Sequence, residues 1–228
     1  MITLAELGAF PSPATAAGVP VRFGVYLPGI AAGFAVRVLV IAEADRFDPD
    51  IPAKTFDLQQ VGGPNGLWSA NVTIDPVANT GFGQPGRYLY RYQLVRVAPD
   101  SSTSTVTDWF TDPFARETDD VGQLSAFTTP DAVPAFAWTD GEWKVLDLAE
   151  LVVYELHVEE FNSTFAGVVD RLTYLQSLGV TCLELMPVTS LKLDFDWGYG
   201  PLHYFGSSVD LGVNHRCGRV IWMPEQVR

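Results

Sequence analysis

The text between residues 151 and 187 constrains this chain more than any other part of it, because its apolar residues change period twice there. Residues 151–158 read Leu-Val-Val-Tyr-Glu-Leu-His-Val, a nearly continuous apolar run of strand length. Asn162, Ser163 and Thr164 then offer side-chain oxygens able to cap the free amides of a helix start. Phe165, Val168, Val169, Leu172, Leu175 and Leu178 recur at steps of three and four, which places them on one face of an amphipathic helix. Gly179 stands where that helix ends and can take the positive φ of a C-terminal cap. Residues 180–186, Val-Thr-Cys-Leu-Glu-Leu-Met, make a second buried-type strand, stopped by Pro187. Strand, helix and strand in so short a span form a βαβ unit, and its second strand must run parallel to the first.

The first half obeys a different rule. Residues 21–27 and 36–42 are β-branched and aromatic runs, separated by Pro28, Gly29 and Gly33. In residues 68–74, Trp68, Ala70, Val72 and Ile74 alternate onto one face. Residues 87–94, Arg-Tyr-Leu-Tyr-Arg-Tyr-Gln-Leu, form another strand, introduced by the turn signal Gln84, Pro85, Gly86. Short strands punctuated by turns predict an antiparallel, immunoglobulin-like β-sandwich. From 112 to 150 the text is rich in Pro, Ala, Asp and Thr, as a connector would be. The expected organisation is therefore multidomain β plus α/β: a sandwich over 1–111, a connector over 112–150 and an α/β segment over 151–228.

Charge narrows the partners. With 27 acidic against 14 basic residues the formal charge is −13. That balance argues against nucleic acid and against an anionic membrane, both of which attract positive protein. A neutral polysaccharide is compatible with it. No stretch is long and apolar enough to span a bilayer. Residues 1–10 lack the basic start of a secretory signal, and Glu6 interrupts their apolar run. Cys182 and Cys217 sit in unlike contexts without metal-ligand spacing, so a reduced, cytoplasmic protein is expected.

Residues 153–161, Val-Tyr-Glu-Leu-His-Val-Glu-Glu-Phe, resemble the first barrel strand of the α-amylase family, glycoside hydrolase family 13. Residues 165–175 resemble that family's first helix and 178–188 its second strand. Trp197-Gly198-Tyr199, followed by Tyr204 and Phe205, is similar to the loop after it. Upstream, residues 88–92 and 111–115 resemble the starch-module-like sandwich that precedes the barrel in branching, debranching and maltooligosyl-trehalose-hydrolysing members. The resemblance runs roughly from 15 to 206 and implies a sandwich followed by an incomplete TIM-type (β/α) barrel, acting on α-glucan.

What it implies for sites follows residue by residue. Tyr199 matches the tyrosine that stacks on the sugar ring beside the scissile bond, with Trp197 and Tyr204 supporting it; an aromatic face suits the apolar side of a pyranose. Asp210 and His215 match substrate-binding positions of a short signature, and Asn214 matches one that contributes to a calcium site. Glu155, His157 and Glu184 are expected to be scaffold, a buried carboxyl there needing a partner such as Arg171 or His157. The family's nucleophile and acid come from the fourth and fifth barrel strands. A whole barrel takes about 250 residues, so a truncated enzyme without the usual carboxyl pair is expected. Should this stretch itself cleave glycosides, the replacement carboxyls must come from among Glu155, Glu159, Glu160, Asp194, Asp196 and Asp210, with Asp194 and Asp196 foremost because they border Trp197-Gly198-Tyr199. The alternative is a non-catalytic α-glucan-binding module carrying a vestigial barrel piece, with Trp68, Tyr88, Tyr90, Tyr92 and Trp109 as candidate platforms. In either case the open barrel edge needs cover, for which a homo-oligomer is one source.

Overall fold

The computed structural model describes residues 2–61, 66–119, 124–134, 136–190, 197–208 and 211. Nine strands build the first part: β1 (Gly8–Pro11), β2 (Val19–Tyr26), β3 (Phe34–Ala42), β4 (Lys54–Gln60), β5 (Leu67–Ile74), β6 (Arg87–Val97), β7 (Thr103–Thr105), β8 (Glu117–Thr118) and β9 (Ser125–Thr128). Their pairings are antiparallel. They lie in the order β1-β2-β5-β4-β3-β6-β9-β8, with β7 beside β6.

β4 joins the two halves. Residues 54–58 pair with β3, whereas Gln59 and Gln60 pair with β5. Strand pairing thus passes unbroken from one half to the other, and the expected pair of separate sheets is a single sheet folded over at this strand. The pleat explains why it folds. Val19, Val21, Phe23 and Val25 alternate inward on β2, Val36, Val38, Val40 and Ala42 on β3, and Tyr88, Tyr90 and Tyr92 on β6. Each half is apolar on one face, and folding over lets one face cover the other. Phe23 accordingly reaches Tyr90 on β6 at 5.4 Å between ring centroids and Phe127 on β9 at 5.9 Å. Tyr88 stacks on Phe127 at 5.2 Å. On the β3–β6 ladder Val40 lies opposite Tyr90 and Val38 opposite Tyr92, the branched–aromatic pairs that stabilise a sheet face.

Residues 117–128 fall in the stretch expected to be connector, yet they supply β8 and β9, and β9 pairs with β6. The sequence carries no alternation at Ser-Ala-Phe-Thr because all four residues are buried, leaving no polar face to mark a period.

The second part holds β10 (Val153–Leu156), α1 (Val158–Asn162), α2 (Phe165–Asp170), α3 (Leu172–Ser177) and β11 (Cys182–Leu185). β10 and β11 are parallel, with Val153 opposite Cys182 and Leu156 opposite Leu185. The single helix expected over 165–178 is broken at Arg171, whose φ of −103° and ψ of −1° leave the helical well. Thr164 caps α2 through the Gly167 amide at 3.1 Å, and Gly179 follows α3 with φ +86°. Val168 and Leu175 are buried with Leu156, Val158 and Leu211. Val169, Leu172 and Leu178, expected on the same apolar face, are exposed. Two strands of four residues are too narrow to cover the whole stripe. Glu155 and Glu184 lie opposite each other in register and are exposed for the same reason, which corrects the expectation that burial would force a partner on them. Among the described residues no helix is long and apolar enough to cross a membrane.

Candidate functional site

Because β10 and β11 are parallel, the chain leaves both at the same end of the little sheet. After β10, His157 becomes the N-cap of α1: its Nδ1 accepts the Glu160 amide at 3.3 Å. The imidazole so engaged is scaffold. One turn on, the Glu160 carboxylate accepts the indole N–H of Trp197 at 3.1 Å, which ties the exit of β10 to the loop beyond β11.

That loop makes a sharp reversal. Trp197 has φ +46° and Gly198 φ +91°. A bulky residue in the left-handed region costs on the order of 1 kcal/mol or more, so the surroundings must hold it there. The Thr189 hydroxyl donates to the Gly198 carbonyl at 3.3 Å. Gly198 lies so close to Pro187 that a Cβ would stand 2.3 Å from the Pro187 carbonyl oxygen. Gly198→Ala should therefore displace the loop while leaving the β sheet intact. The expected reading is faster proteolysis near residues 187–204 at an unchanged thermal midpoint for the first part. A loop as resistant as that of the parent chain would contradict it.

The reversal turns its aromatics outward. Tyr199 is 65% exposed, Trp197 56% and Tyr204 60%. Tyr204 keeps one flank near Phe114, at 6.3 Å between rings. These three side chains, singled out in the sequence, are brought to one loop. Flat apolar faces edged by tyrosine hydroxyl groups can stack on a pyranose and bond its rim.

The other side of the loop docks on the β region. The Tyr204 amide donates to the Pro113 carbonyl at 2.8 Å, while within the loop the Ser190 amide donates to the Gly206 carbonyl at 2.8 Å and the Leu202 amide to the Ser190 carbonyl at 2.9 Å. Between them His203 is 0% exposed. Its Nε2 lies 2.6 Å from the Thr111 hydroxyl and its Nδ1 3.2 Å from the Ser190 hydroxyl. Burial pushes this imidazole down to about 4. Beside Thr111, Asp112 is fully buried and accepts the Tyr90 hydroxyl at 2.8 Å and the Phe114 amide at 2.9 Å. Burial pushes its carboxyl up to about 6, and burial together with that carboxyl holds the Tyr90 hydroxyl well above its usual range. Sequence reading missed both. His203 stands alone among loop residues without a period, and Asp112 reads as an ordinary turn residue before Pro113.

Asp194, Asp196, Asp210, Asn214 and His215 lie outside the described residues. Among the described residues no three His, Cys, Asp or Glu side chains are arranged to hold a metal. Of the alternative platforms, Trp68, Tyr88, Tyr90 and Tyr92 are core side chains and Trp109 is half-buried. The correction has a plain cause: on β5 and β6 the aromatic face is the inward face.

Comparison with known proteins bears on this arrangement. No protein-family model matches the chain. Malto-oligosyltrehalose trehalohydrolase of Saccharolobus solfataricus is 40% identical over 74 residues, covering 32% of this chain and 13% of that protein. The 1,4-alpha-glucan branching enzyme GlgB of Cupriavidus necator is 30% identical over 208 residues, covering 84% of this chain and 25% of that enzyme. In the fold, the pullulanase of Anoxybacillus sp. LM18-11 complexed with maltotriose matches 89% of this chain with a TM-score of 0.60 at 19% identity. A putative alpha amylase of Salmonella typhimurium matches 90% with a TM-score of 0.52 at 24% identity. The chain spans 29% of each of these two solved chains and no more than about a quarter of the two curated relatives named here.

Proposed function

We infer that this chain, which belongs to the α-amylase family of glycoside hydrolases (family 13), is the leading part of an α-glucan-acting enzyme and supplies one aromatic wall of its sugar site. β10 and β11 are read as the first two strands of a (β/α) barrel, preceded by the folded-over β region through β9 and a connector from there to about 150. Barrel enzymes carry their sites at the C-terminal ends of the strands, which is the end where Tyr199 emerges. The single observation that carries the reading is Tyr199, 65% exposed, on a reversal held by Glu160, Thr189 and Pro187. It is supported by the neighbouring pullulanase that is complexed with maltotriose.

In this reading the chain by itself binds α-glucan and does not cleave it. Cleavage with retention needs two carboxyl groups about 5–5.5 Å apart across the bond, and the reading assigns those to barrel strands beyond β11. Asp210 and His215 are proposed as further contacts to sugar hydroxyls, and Asn214 as a calcium ligand. The binding-module alternative gains no observation in its favour, since its platforms on β5 and β6 are core.

Titration with maltoheptaose tests the proposal. Tyr199→Ala should weaken binding about tenfold, the ~1.4 kcal/mol expected of a lost aromatic–sugar stack. Tyr199→Phe, which keeps the ring, should bind within about twofold of the parent chain. Equal affinity in all three proteins would remove Tyr199 from the site. Release of reducing sugar by the purified chain, abolished in an Asp194→Asn, Asp196→Asn double variant, would return catalysis to this stretch.

A further inference from the structure

We propose that His203 is a positioning residue that pins the loop bearing Trp197 and Tyr199 to the β region, and that acid unpins it. The pin is geometric before it is electrostatic. His203 is fully buried, and its two nitrogens meet hydroxyls from different segments: Thr111, 92 residues away in sequence, and Ser190, 13 away. The Thr111 hydroxyl is shared in turn with Ser125 of β9 at 2.8 Å, so one chain of side-chain bonds runs from the sheet into the loop. A neutral imidazole has one donor and one acceptor, and hydroxyls satisfy either role. An imidazolium has two donors and a charge, and would need a carboxylate.

Among the described residues, the charged groups on the elements packed against it are engaged elsewhere. Asp112 takes the Tyr90 hydroxyl and the Phe114 amide. Arg116 donates to the Leu7 and Leu4 carbonyls. Glu117 of β8 holds the Thr128 hydroxyl and amide and lies beside Arg87. Asp119 takes the Leu124 amide. β9 itself and residues 187–190 contribute no titratable group, and the tyrosines of the loop, Tyr199 and Tyr204, point outward. Burial accordingly holds the imidazole neutral, down to about 4. Protonation above that value requires the ring to reach water. Among the described residues, besides the His203 bonds, the Tyr204–Pro113 backbone bond and the Phe114 ring, 6.0 Å from Phe205 and 6.3 Å from Tyr204, hold the loop to the β region. Opening of the loop therefore takes up a proton. Its equilibrium should rise about tenfold for each pH unit below 6.5, until about pH 4.

Amide hydrogen exchange on the intact chain from pH 7 to 4, corrected for intrinsic exchange rates, reads this out. The amides of Ser190, Leu202 and Tyr204 should lose protection about tenfold per unit, while those on the β3–β6 ladder stay protected. In His203→Gln, a neutral amide that can still bond both hydroxyls, the loop amides should be indifferent to pH. A flat response in the parent chain, or an undiminished slope in the variant, overturns the proposal. If the variant does not fold, titration of the His203 ring by NMR decides. A transition near 6.5 with the loop still protected refutes the pin, and one that tracks loop opening supports it. The consequence for sugar rests on the proposed function: maltoheptaose affinity should fall between pH 7 and 4.5 in the parent chain and not in His203→Gln. Loop opening without a change in affinity would sink the role of Tyr199 and leave the pin standing.

Discussion

Phe23→Ala is expected to destabilise the chain by about 3–5 kcal/mol, the range for removing a large buried aromatic ring. Phe23 is fully buried on β2 and meets Tyr90 and Phe127, which lie on the opposite half of the folded-over sheet. The cavity would open between the halves, where neither can settle into it without tearing the β3–β6 ladder from its register. Against a total stability of about 5–15 kcal/mol for a domain, the loss lowers the thermal midpoint by on the order of 10 °C. Phe23→Leu keeps most of the volume and should cost well under half as much. Calorimetry on the two variants checks both statements. A shift below about 3 °C for the alanine variant would mean that the halves do not pack through this ring.

The second large effect is on pH. Asp112 is a carboxyl whose ordinary value of 3.8 is raised to about 6 by burial. Between those values the folded state binds the proton more tightly than the unfolded chain. Its contribution is therefore fully present below about pH 4 and is lost as pH rises through 6. At about 1.4 kcal/mol per unit the loss reaches about 3 kcal/mol. His203 works the other way. Its folded value near 4 lies below the ordinary 6.5, so the stability it lends at neutral pH is lost as pH falls from about 6.5 to 4. The two slopes oppose and nearly cancel between pH 4 and 6. Asp112→Asn can keep the local bonds, with its carbonyl toward the Phe114 amide and its NH₂ toward the Tyr90 hydroxyl, while losing the titration. Relative to the parent chain, the variant should gain about 3 kcal/mol between pH 4 and pH 7. Urea unfolding at four pH values measures this. Two stability curves that run parallel would show that Asp112 is ionised at no cost in the fold.

The same two residues show how far the text of the chain could be read. The βαβ unit was legible because a nearly continuous apolar run, then steps of three and four, then a second apolar run stopped by proline leave few alternatives, and the parallel pairing of β10 with β11 follows. The inward tyrosines of β6 were legible as a strand, though not as core, since an alternating aromatic face looks alike whether it meets water, sugar or another sheet. β9 was illegible because a strand buried on both faces has no alternation to display. The exposed Glu155 and Glu184 were misread because the width of the sheet, which decides burial, is not a local property.

Sequence alone determined the periods: which stretches extend, which coil, where glycine and proline stop them, and that Trp197, Tyr199 and Tyr204 share one loop. Only the tertiary structure decided that the sheet folds over at β4, and that Asp112 and His203 are sealed from water. Periodicity arises between residues three or four positions apart, whereas burial and the proton affinities it alters depend on partners such as Thr111 and His203, which the chain brings together from 92 residues apart.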